Sequence, residues 1–208
     1  MTPGAADLLL VIDVQVDFLP GGALPVRDGD AVVAPINALQ HRFRHVVLMQ
    51  DWHPADHVSF ADTHPGRAPF ETVALPYGPQ VLWPRHCVQG SLGAGFAPGL
   101  ATDRASLVVR KGLDPRVDSY SAFLEADRIT RTGLAGALAE RGITRVVLCG
   151  LATDFCVLWS ALDARDAGFE VQVVEDAVRG IDVDGSLARA WARMEAAGVR
   201  RIGSAEIA

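Results

Sequence analysis

Cys156 is the residue of this 208-residue sequence whose position most directly suggests chemistry. It lies in CGLATDFCV, residues 149–157, where an apolar strand pattern runs into a stretch that predicts a helix. A thiol in the first turn of a helix lies near exposed backbone N–H groups and the positive end of the helix dipole, and both lower its pKa. With Thr153 or Asp154 as the cap of this helix, Cys156 is a candidate nucleophile. Packing as a small hydrophobic side chain is the alternative.

Asp13, Asp51 and Lys111 also carry reactive groups at the ends of apolar runs. Asp13 could accept the proton of the thiol and later return it to a leaving group, while Lys111 supplies the positive charge that keeps a carboxylate and a thiolate ionised together. Backbone N–H groups around LATDFC could stabilise the oxyanion of a tetrahedral intermediate. An acid, an amine and a thiol in one place predict covalent acyl transfer, such as the hydrolysis of an amide.

A second set of residues has the types that bind metal ions. In MQDWHPADH, Asp51 and His53 are two residues apart, so an extended backbone would point both side chains the same way. His86, in WPRHCV, is a candidate third ligand. One carboxylate and two imidazoles suit zinc, iron or manganese. His57 is a candidate extra ligand, but its place in a loop favours an exposed histidine.

The elements that must position these residues follow an alternating pattern. Six apolar runs predict strands, and four amphipathic stretches between them predict helices, including TDFCVLWSALDARDAG. This order predicts one α/β domain over residues 1–208, with a mostly parallel sheet of about six strands between helices in a three-layer α/β/α arrangement. Residues 52–103 are rich in Gly and Pro and predict long loops, which in a compact domain are usually functional.

Ligands of such sheets bind beyond the carboxyl ends of the strands, where the candidate residues are predicted to meet. Three aromatic residues, Phe18, Trp83 and Tyr120, lie in predicted loops or near strand ends. They could form the walls of a site for a flat ring, or they could anchor the loops.

Charge and composition limit the partners. The chain has 19 basic and 25 acidic residues, a net charge of −6, and no basic run, so neither nucleic acid nor an anionic membrane is an expected partner. The first apolar segment is interrupted by Asp13 and has no basic region before it, so we expect neither a signal peptide nor a membrane span. Three cysteines without paired spacing suit a reducing cytoplasm. A homodimer is compatible with the sequence, but no periodicity decides it.

Five motifs, in order, resemble the nicotinamidase/pyrazinamidase branch of the isochorismatase-like cysteine hydrolases, which have a Rossmann-like fold. They are VIDVQVDFLPGGAL, QDWHPADHVSF, WPRHCVQG, the KG of VVRKG followed by SYSAF, and GLATDFCV. The resemblance covers almost the whole chain. It implies hydrolysis of nicotinamide, and of pyrazinamide, to the acid and ammonia in NAD salvage.

The resemblance also implies a role for each candidate. Asp13 would be the general base and acid, Lys111 the charge partner and Cys156 the nucleophile. The oxyanion hole would consist of the N–H groups of Ala152 and Cys156, next to a cis peptide bond between Leu151 and Ala152. Further implied roles are metal binding by Asp51, His53 and His86, ring packing by Phe18, Trp83 and Tyr120, and support of these groups by Gln15 and Asp17.

Two other interpretations remain open at this point. A related cysteine amidohydrolase could act on another small amide or a carbamoyl compound, although the metal-binding set argues against a metal-independent enzyme. A noncatalytic metal-binding protein would leave Asp13, Lys111 and Cys156 unexplained.

Overall fold

A computed structural model describes residues 1–208 and contains one central sheet. Its six strands are β1 (Asp7–Ile12), β2 (His45–Asp51), β5 (Leu107–Lys111), β6 (Arg145–Leu151), β7 (Glu170–Arg179) and β8 (Arg200–Ile202). They lie in the order β5-β2-β1-β6-β7-β8, and every neighbouring pair is parallel. The predicted parallel sheet of six strands is therefore confirmed.

Four α-helices cover the sheet: α1 (Val33–Gln40), α2 (Leu134–Glu140), α3 (Leu158–Asp166) and α4 (Ser186–Ala196). Alternate residues of β1 belong to two separate hydrophobic clusters, since Leu8 and Leu10 pack with residues of α2, α3 and α4, whereas Leu9 and Val11 pack with residues of α1. The sheet is thus buried on both faces, and the three-layer prediction is confirmed. On the sheet face that α1 covers, loop residues such as Leu24 and Val26 complete the hydrophobic cluster.

The prediction of long loops over residues 52–103 is wrong in one part. Strands β3 (Thr72–Leu75) and β4 (Gly78–Val81) form an antiparallel hairpin. Most of its residues are exposed or half-buried, and Pro79 lies within β4, so the hydrophobic alternation that marks a strand is absent from the sequence.

The carboxyl ends of β1, β2, β5 and β6 lie side by side in the sheet and bring the candidate residues to one edge. Asp13 follows β1, Asp51 ends β2 and Lys111 ends β5, where it is in register with Asp51. β6 approaches β1 closely because residue 150 is glycine: a Cβ there would lie 2.1 Å from the carbonyl oxygen of Ile12, and its φ of +112° disfavours other residues. No helix is long and apolar enough to span a membrane.

Candidate active site

Lys111 is the centre of the candidate site and the only lysine in the chain. Its side chain is fully buried, and Nζ lies 3.1 Å from Oδ2 of Asp13 and 2.5 Å from Oδ1 of Asp51. Nζ also donates to the carbonyl oxygen of Ser119 at 2.8 Å and lies 3.5 Å from Sγ of Cys156. The three residues predicted to carry out acyl transfer therefore meet around one buried ammonium group.

Cys156 lies in a single π-helical turn, residues 153–157, between β6 and α3. The predicted α-helix begins only at Leu158, and the cap prediction is wrong because no side chain caps this turn. The carbonyl oxygen of Ala152 accepts hydrogen bonds from the N–H groups of Phe155 and Val157. The peptide bond between Leu151 and Ala152 is cis, as the resemblance implied.

The pKa values in this cluster differ from those expected for a thiolate at the start of a helix. Burial raises the pKa of Cys156 well above its usual value, and Lys111 only partly opposes this. Burial also raises the pKa of Asp13, to about 6, against the charge of Lys111. Burial acts to lower the pKa of Lys111, but Asp13 and Asp51 outweigh it and raise that pKa. At neutral pH the cluster thus holds a protonated thiol beside an ionised Asp13, whose two carboxylate oxygens accept no well-aligned hydrogen bond.

Asp51, His53 and His86 form a group with the geometry of metal ligands. Oδ2 of Asp51 lies 3.2 Å from Nε2 of His53 and 3.5 Å from Nε2 of His86. The other ring nitrogens face backbone carbonyls, with Nδ1 of His53 3.1 Å from Gly112 O and Nδ1 of His86 2.7 Å from Pro84 O. Because Nδ1 faces a carbonyl oxygen, Nε2 of each ring is the nitrogen available to a metal ion, which is the arrangement of metal-binding histidines. Without the ion, burial would lower the pKa of His53, but Asp51 outweighs it and raises that pKa. This donor set fits one divalent metal ion.

Gly112 shows how tightly this group is packed. Its φ is +67°, and a Cβ at this position would lie 2.4 Å from the ring of His53. Burial would raise the pKa of Asp51, but His53 and Lys111 outweigh it and hold that pKa well below its usual value. Asp51 therefore stays an anion that faces the ammonium with one oxygen and the imidazoles with the other.

His57 is fully buried, so the expectation of an exposed histidine is wrong. Its ring lies 4.0 Å from the ring of His53, between centroids. Both of its nitrogens have protein partners, because Nδ1 lies 2.7 Å from Oγ of Ser59 and Nε2 lies 3.2 Å from the carbonyl oxygen of Val117. Burial lowers the pKa of His57 to about 4, and the charge of the nearby His53 is the second cause. His53, His57 and Asp118 also lie close enough together to hold an ion, so His57 stays a candidate ligand beside the set of Asp51, His53 and His86.

The space in front of Cys156 is a cavity of about 20 Å³ with mostly apolar walls. Phe18, Trp83 and Tyr120 all contribute walls, as predicted for a flat ring, and Asp51, His86 and Ala152 also face the cavity. Nε1 of Trp83 donates to the hydroxyl of Tyr120 at 3.0 Å. A much larger groove of about 830 Å³ runs along the edge of β5 but includes none of the candidate catalytic or metal-binding residues. The chemistry therefore belongs to the small cavity in front of Cys156.

Four further wall residues were missed from the sequence: Leu24, Asp118, Phe155 and Ile181. Phe155 stacks edge-on against Trp83, with ring centroids 4.8 Å apart. Ile181 comes just after β7, and the rule that sites lie beyond the carboxyl ends of parallel strands could have indicated it. Nothing in the sequence around Asp118 distinguishes it from an exposed loop carboxylate.

Asp154 connects the Cys156 turn to the loop that carries Ile181. Its buried carboxylate accepts hydrogen bonds from the N–H of Ile181 at 3.0 Å and of Asp182 at 2.8 Å, and from the hydroxyl of Ser186. The residue predicted to cap a helix therefore binds a distant segment of the chain, and it fixes one wall of the cavity.

Comparisons with known proteins agree with the geometry. A sequence profile described as the isochorismatase domain matches residues 7–206. A nicotinamidase from Acinetobacter baylyi is 54% identical over 199 residues, which cover 96% of this chain and 93% of that protein. The structure of a nicotinamidase/pyrazinamidase from Acinetobacter baumanii has a TM-score of 0.97 at 54% identity, covering 98% of each chain. The zinc complex of a pyrazinamidase from Pyrococcus horikoshii has a TM-score of 0.77 at 36% identity, covering 95% of this chain and 99% of that one.

Proposed function

This chain belongs to the isochorismatase domain family, and on that premise we propose that it is a nicotinamidase, which hydrolyses nicotinamide to nicotinate and ammonia and also accepts pyrazinamide. The observation that carries the proposal is the meeting of Asp13, Lys111 and Cys156 beside a metal-binding group. Of these groups, Cys156, Asp51 and His86 line one small cavity with aromatic walls. Its relatives of 54% identity with the same named activity support the choice of substrate.

Acylation begins with attack of the Cys156 sulfur on the carboxamide carbon. The thiol proton passes to the ionised carboxylate of Asp13, and the carbonyl oxygen becomes an oxyanion. Asp13 then donates this proton to the amide nitrogen, the C–N bond breaks, and ammonia leaves a thioester on Cys156. The pKa of about 6 for Asp13 supports both roles, since a group that titrates near neutral pH accepts and returns a proton at low cost.

Deacylation uses the same residues in reverse. Asp13 removes a proton from a water molecule, whose oxygen attacks the thioester carbon. The C–S bond breaks, nicotinic acid leaves and loses its carboxyl proton to solvent to become nicotinate, and the sulfur of Cys156 regains a proton from Asp13. The ammonium of Lys111, 3.1 Å from Asp13 and 3.5 Å from Cys156, stabilises negative charge on either group throughout the cycle.

The N–H groups of Ala152 and Cys156 form the oxyanion hole in this proposal. Both residues line the cavity, and the cis peptide bond precedes Ala152. Backbone donors that are fixed before the reaction stabilise a developing charge without reorganisation, and the loss of one typically costs about 10²–10³ in kcat.

Asp51, His53 and His86 would hold one divalent metal ion, for which we propose zinc on the basis of the ligand types and the zinc-bound relative from Pyrococcus horikoshii. When bound, the ion would supply an electrophilic position for the ring nitrogen of the substrate. Phe18, Trp83 and Tyr120 would pack against the ring and orient its carboxamide towards Cys156. The cavity of about 20 Å³ exceeds the roughly 10–15 Å³ that one water molecule requires, so it can hold water before the substrate binds.

Ammonia release from nicotinamide by the zinc-reconstituted protein tests the proposal. Cys156→Ala should lose activity by a factor on the order of 10³ or more. Cys149→Ala is the matched control, because Cys149 is also buried, on β6, and its thiol donates to the carbonyl oxygen of Leu10 rather than contacting Asp13 or Lys111. It should retain turnover.

The same assay with other substrates distinguishes nicotinamide hydrolysis from the alternative functions. Turnover of nicotinamide and pyrazinamide, with little turnover of benzamide, would support a site that recognises the ring nitrogen. Turnover of a carbamoyl compound in place of nicotinamide, with the same dependence on Cys156, would support Cys156 as the nucleophile and refute nicotinamide as the substrate. We place the enzyme in NAD salvage and in the cytoplasm, where its three free thiols would stay reduced.

A further inference from the structure

Gln15 is a fully buried residue whose side-chain amide hydrogen-bonds to the backbone of Asp51. Its Nε2 donates to the carbonyl oxygen of Asp51 at 2.8 Å, and its Oε1 accepts from the N–H of Asp51 at 2.8 Å. The side-chain amide thus pairs with both backbone groups of a single residue, as a neighbouring strand would. Nε2 also donates to the carbonyl oxygen of Ala94 at 2.9 Å.

The place of this pairing in the sheet explains why a side chain is used. The backbone pairing of β1 with β2 ends at Val11 and Leu48, three residues before Asp51. Beyond it, β1 leaves the sheet through Asp13, whose φ of +46° turns the chain into the left-handed region. The backbone of Asp51 therefore has no partner from β1, and the amide of Gln15 replaces the missing strand.

The two oxygens of the Asp51 carboxylate face different partners. Oδ1 receives the ammonium of Lys111 at 2.5 Å, and Oδ2 faces Nε2 of His53 and of His86. A rotation of the backbone at residue 51 would move both oxygens. Because the reciprocal bonds with Gln15 fix that backbone, they also fix the direction in which the carboxylate points. Loss of a residue that hydrogen-bonds to a metal ligand typically lowers metal affinity by about 10–100-fold.

We propose that Gln15 is a positioning residue for the metal site, which holds the backbone of Asp51 so that its carboxylate is directed at the ion. This inference rests on the metal site of the proposed function. It gives Gln15 a role separate from that of Asp13, two residues earlier, although one loop carries both residues and the N–H of Gln15 donates to the carbonyl oxygen of Asp13 at 2.9 Å.

Gln50 provides a matched control for simple burial of an amide. It is also buried, and its Nε2 donates to the same carbonyl oxygen of Ala94, at 3.1 Å. Its Oε1 accepts from Nε of Arg110 at 3.3 Å and makes no contact with the backbone of Asp51. Replacement of either glutamine by methionine removes buried hydrogen bonds at similar side-chain volume, but only one of the two replacements releases Asp51.

The test measures Zn²⁺ binding by competition with a chromophoric chelator, without substrate, for the wild type, Gln15→Met and Gln50→Met. Thermal unfolding of the metal-free proteins reports the fold. We expect Gln15→Met to bind Zn²⁺ about 10–100-fold more weakly and Gln50→Met to stay within about threefold of the wild type. Saturating Zn²⁺ should restore a large part of the ammonia release by Gln15→Met.

Several outcomes would overturn the inference. Gln15→Met with wild-type affinity, or Gln50→Met with an equal loss, would show that Gln15 does not position Asp51. A wild-type protein that binds no Zn²⁺ would refute the metal site and the inference with it, whereas a protein that binds Zn²⁺ but leaves nicotinamide intact would refute only the proposed activity. If Gln15→Met does not fold, Gln15→Asn takes its place; it keeps an amide but is one methylene shorter, so it cannot reach both backbone groups of Asp51 and should also bind more weakly.

Discussion

Lys111→Met is the substitution whose effect follows most directly from the geometry of the site. Methionine keeps a long, flexible side chain but removes the ammonium between Asp13 and Asp51. At an effective dielectric constant of about 20, charges at 3.1 Å and 2.5 Å attract with about 5 and about 7 kcal/mol. The cost of burying the three charged groups offsets much of this attraction. Removal of one partner from a buried ion pair typically destabilises a protein by about 3–5 kcal/mol, because it leaves a buried charge without compensation.

The expected destabilisation depends on pH, because Asp13 can take up a proton. The pKa of Asp13 is about 6, already above the ordinary 3.8, and loss of Lys111 raises it further. A carboxyl whose folded pKa lies above its unfolded value favours folding at low pH, and this contribution is lost as the pH rises through the folded pKa. The variant should therefore be closest to the wild type near pH 5 and most destabilised at pH 7 and above.

Urea unfolding of the metal-free proteins at pH 5 and pH 7 measures this effect. At pH 7 we expect a loss of about 3–5 kcal/mol, or a decrease in Tm of roughly 6–20 °C for a chain of this size. Ammonia release should also fall by at least about 10²-fold, because a protonated Asp13 cannot accept the thiol proton. Arg128→Met is the control, since Arg128 pairs with the buried Asp163 away from the site, so its loss should affect stability alone.

A loss in unfolding free energy below about 1 kcal/mol for Lys111→Met, equal at both pH values, would refute this reasoning. It would mean that Asp13 and Asp51 are stabilised by groups other than the ammonium. Retention of wild-type turnover would refute the catalytic part, whatever the stability.

Three further predictions concern the proton carrier and the walls of the cavity. The value of kcat/KM should fall as the pH decreases below about 6, because the reaction needs ionised Asp13; a pH–rate profile without that acidic limb would contradict the assignment. Asp154→Asn should raise KM and cost about 1–3 kcal/mol of stability, because it weakens the bonds that hold the loop of Ile181; steady-state kinetics with unchanged KM would argue against a wall fixed in this way. Trp83→Phe removes the hydrogen bond to Tyr120 and should raise KM more than it lowers kcat; an effect on kcat alone would place Trp83 in the chemical step.

The central sheet could be predicted because its strands are buried on both faces. Such strands are near-continuous apolar runs, and the rule for parallel sheets then places Asp13, Asp51, Lys111 and Cys156 at one edge without any coordinates. The hairpin of β3 and β4 could not be predicted in the same way. It is largely solvent-exposed and leaves no apolar signal.

The errors at the site have a common physical cause, which is contact between residues distant in sequence. Asp154 has the right type and position for a helix cap, but the N–H groups of Ile181 and Asp182 bind its carboxylate instead. His57 looks like an exposed loop residue in the sequence, but its Nε2 lies 3.2 Å from the carbonyl oxygen of Val117, 60 residues later in the chain. The pKa of Cys156 is dominated by burial, which local sequence does not report. The types of reactive residue could thus be read from the sequence, whereas their protonation states depend on the folded environment.

Cys156 carries the acyl group in the proposed reaction. Rapid mixing of the zinc-loaded protein with nicotinamide, followed by an acid quench and mass spectrometry of the peptides, tests this directly. We expect a nicotinoyl group on the peptide that contains Cys156, formed and lost within one turnover and absent from Cys156→Ala. Hydrolysis of nicotinamide by Cys156→Ala at a rate close to that of the wild type would contradict this role of Cys156.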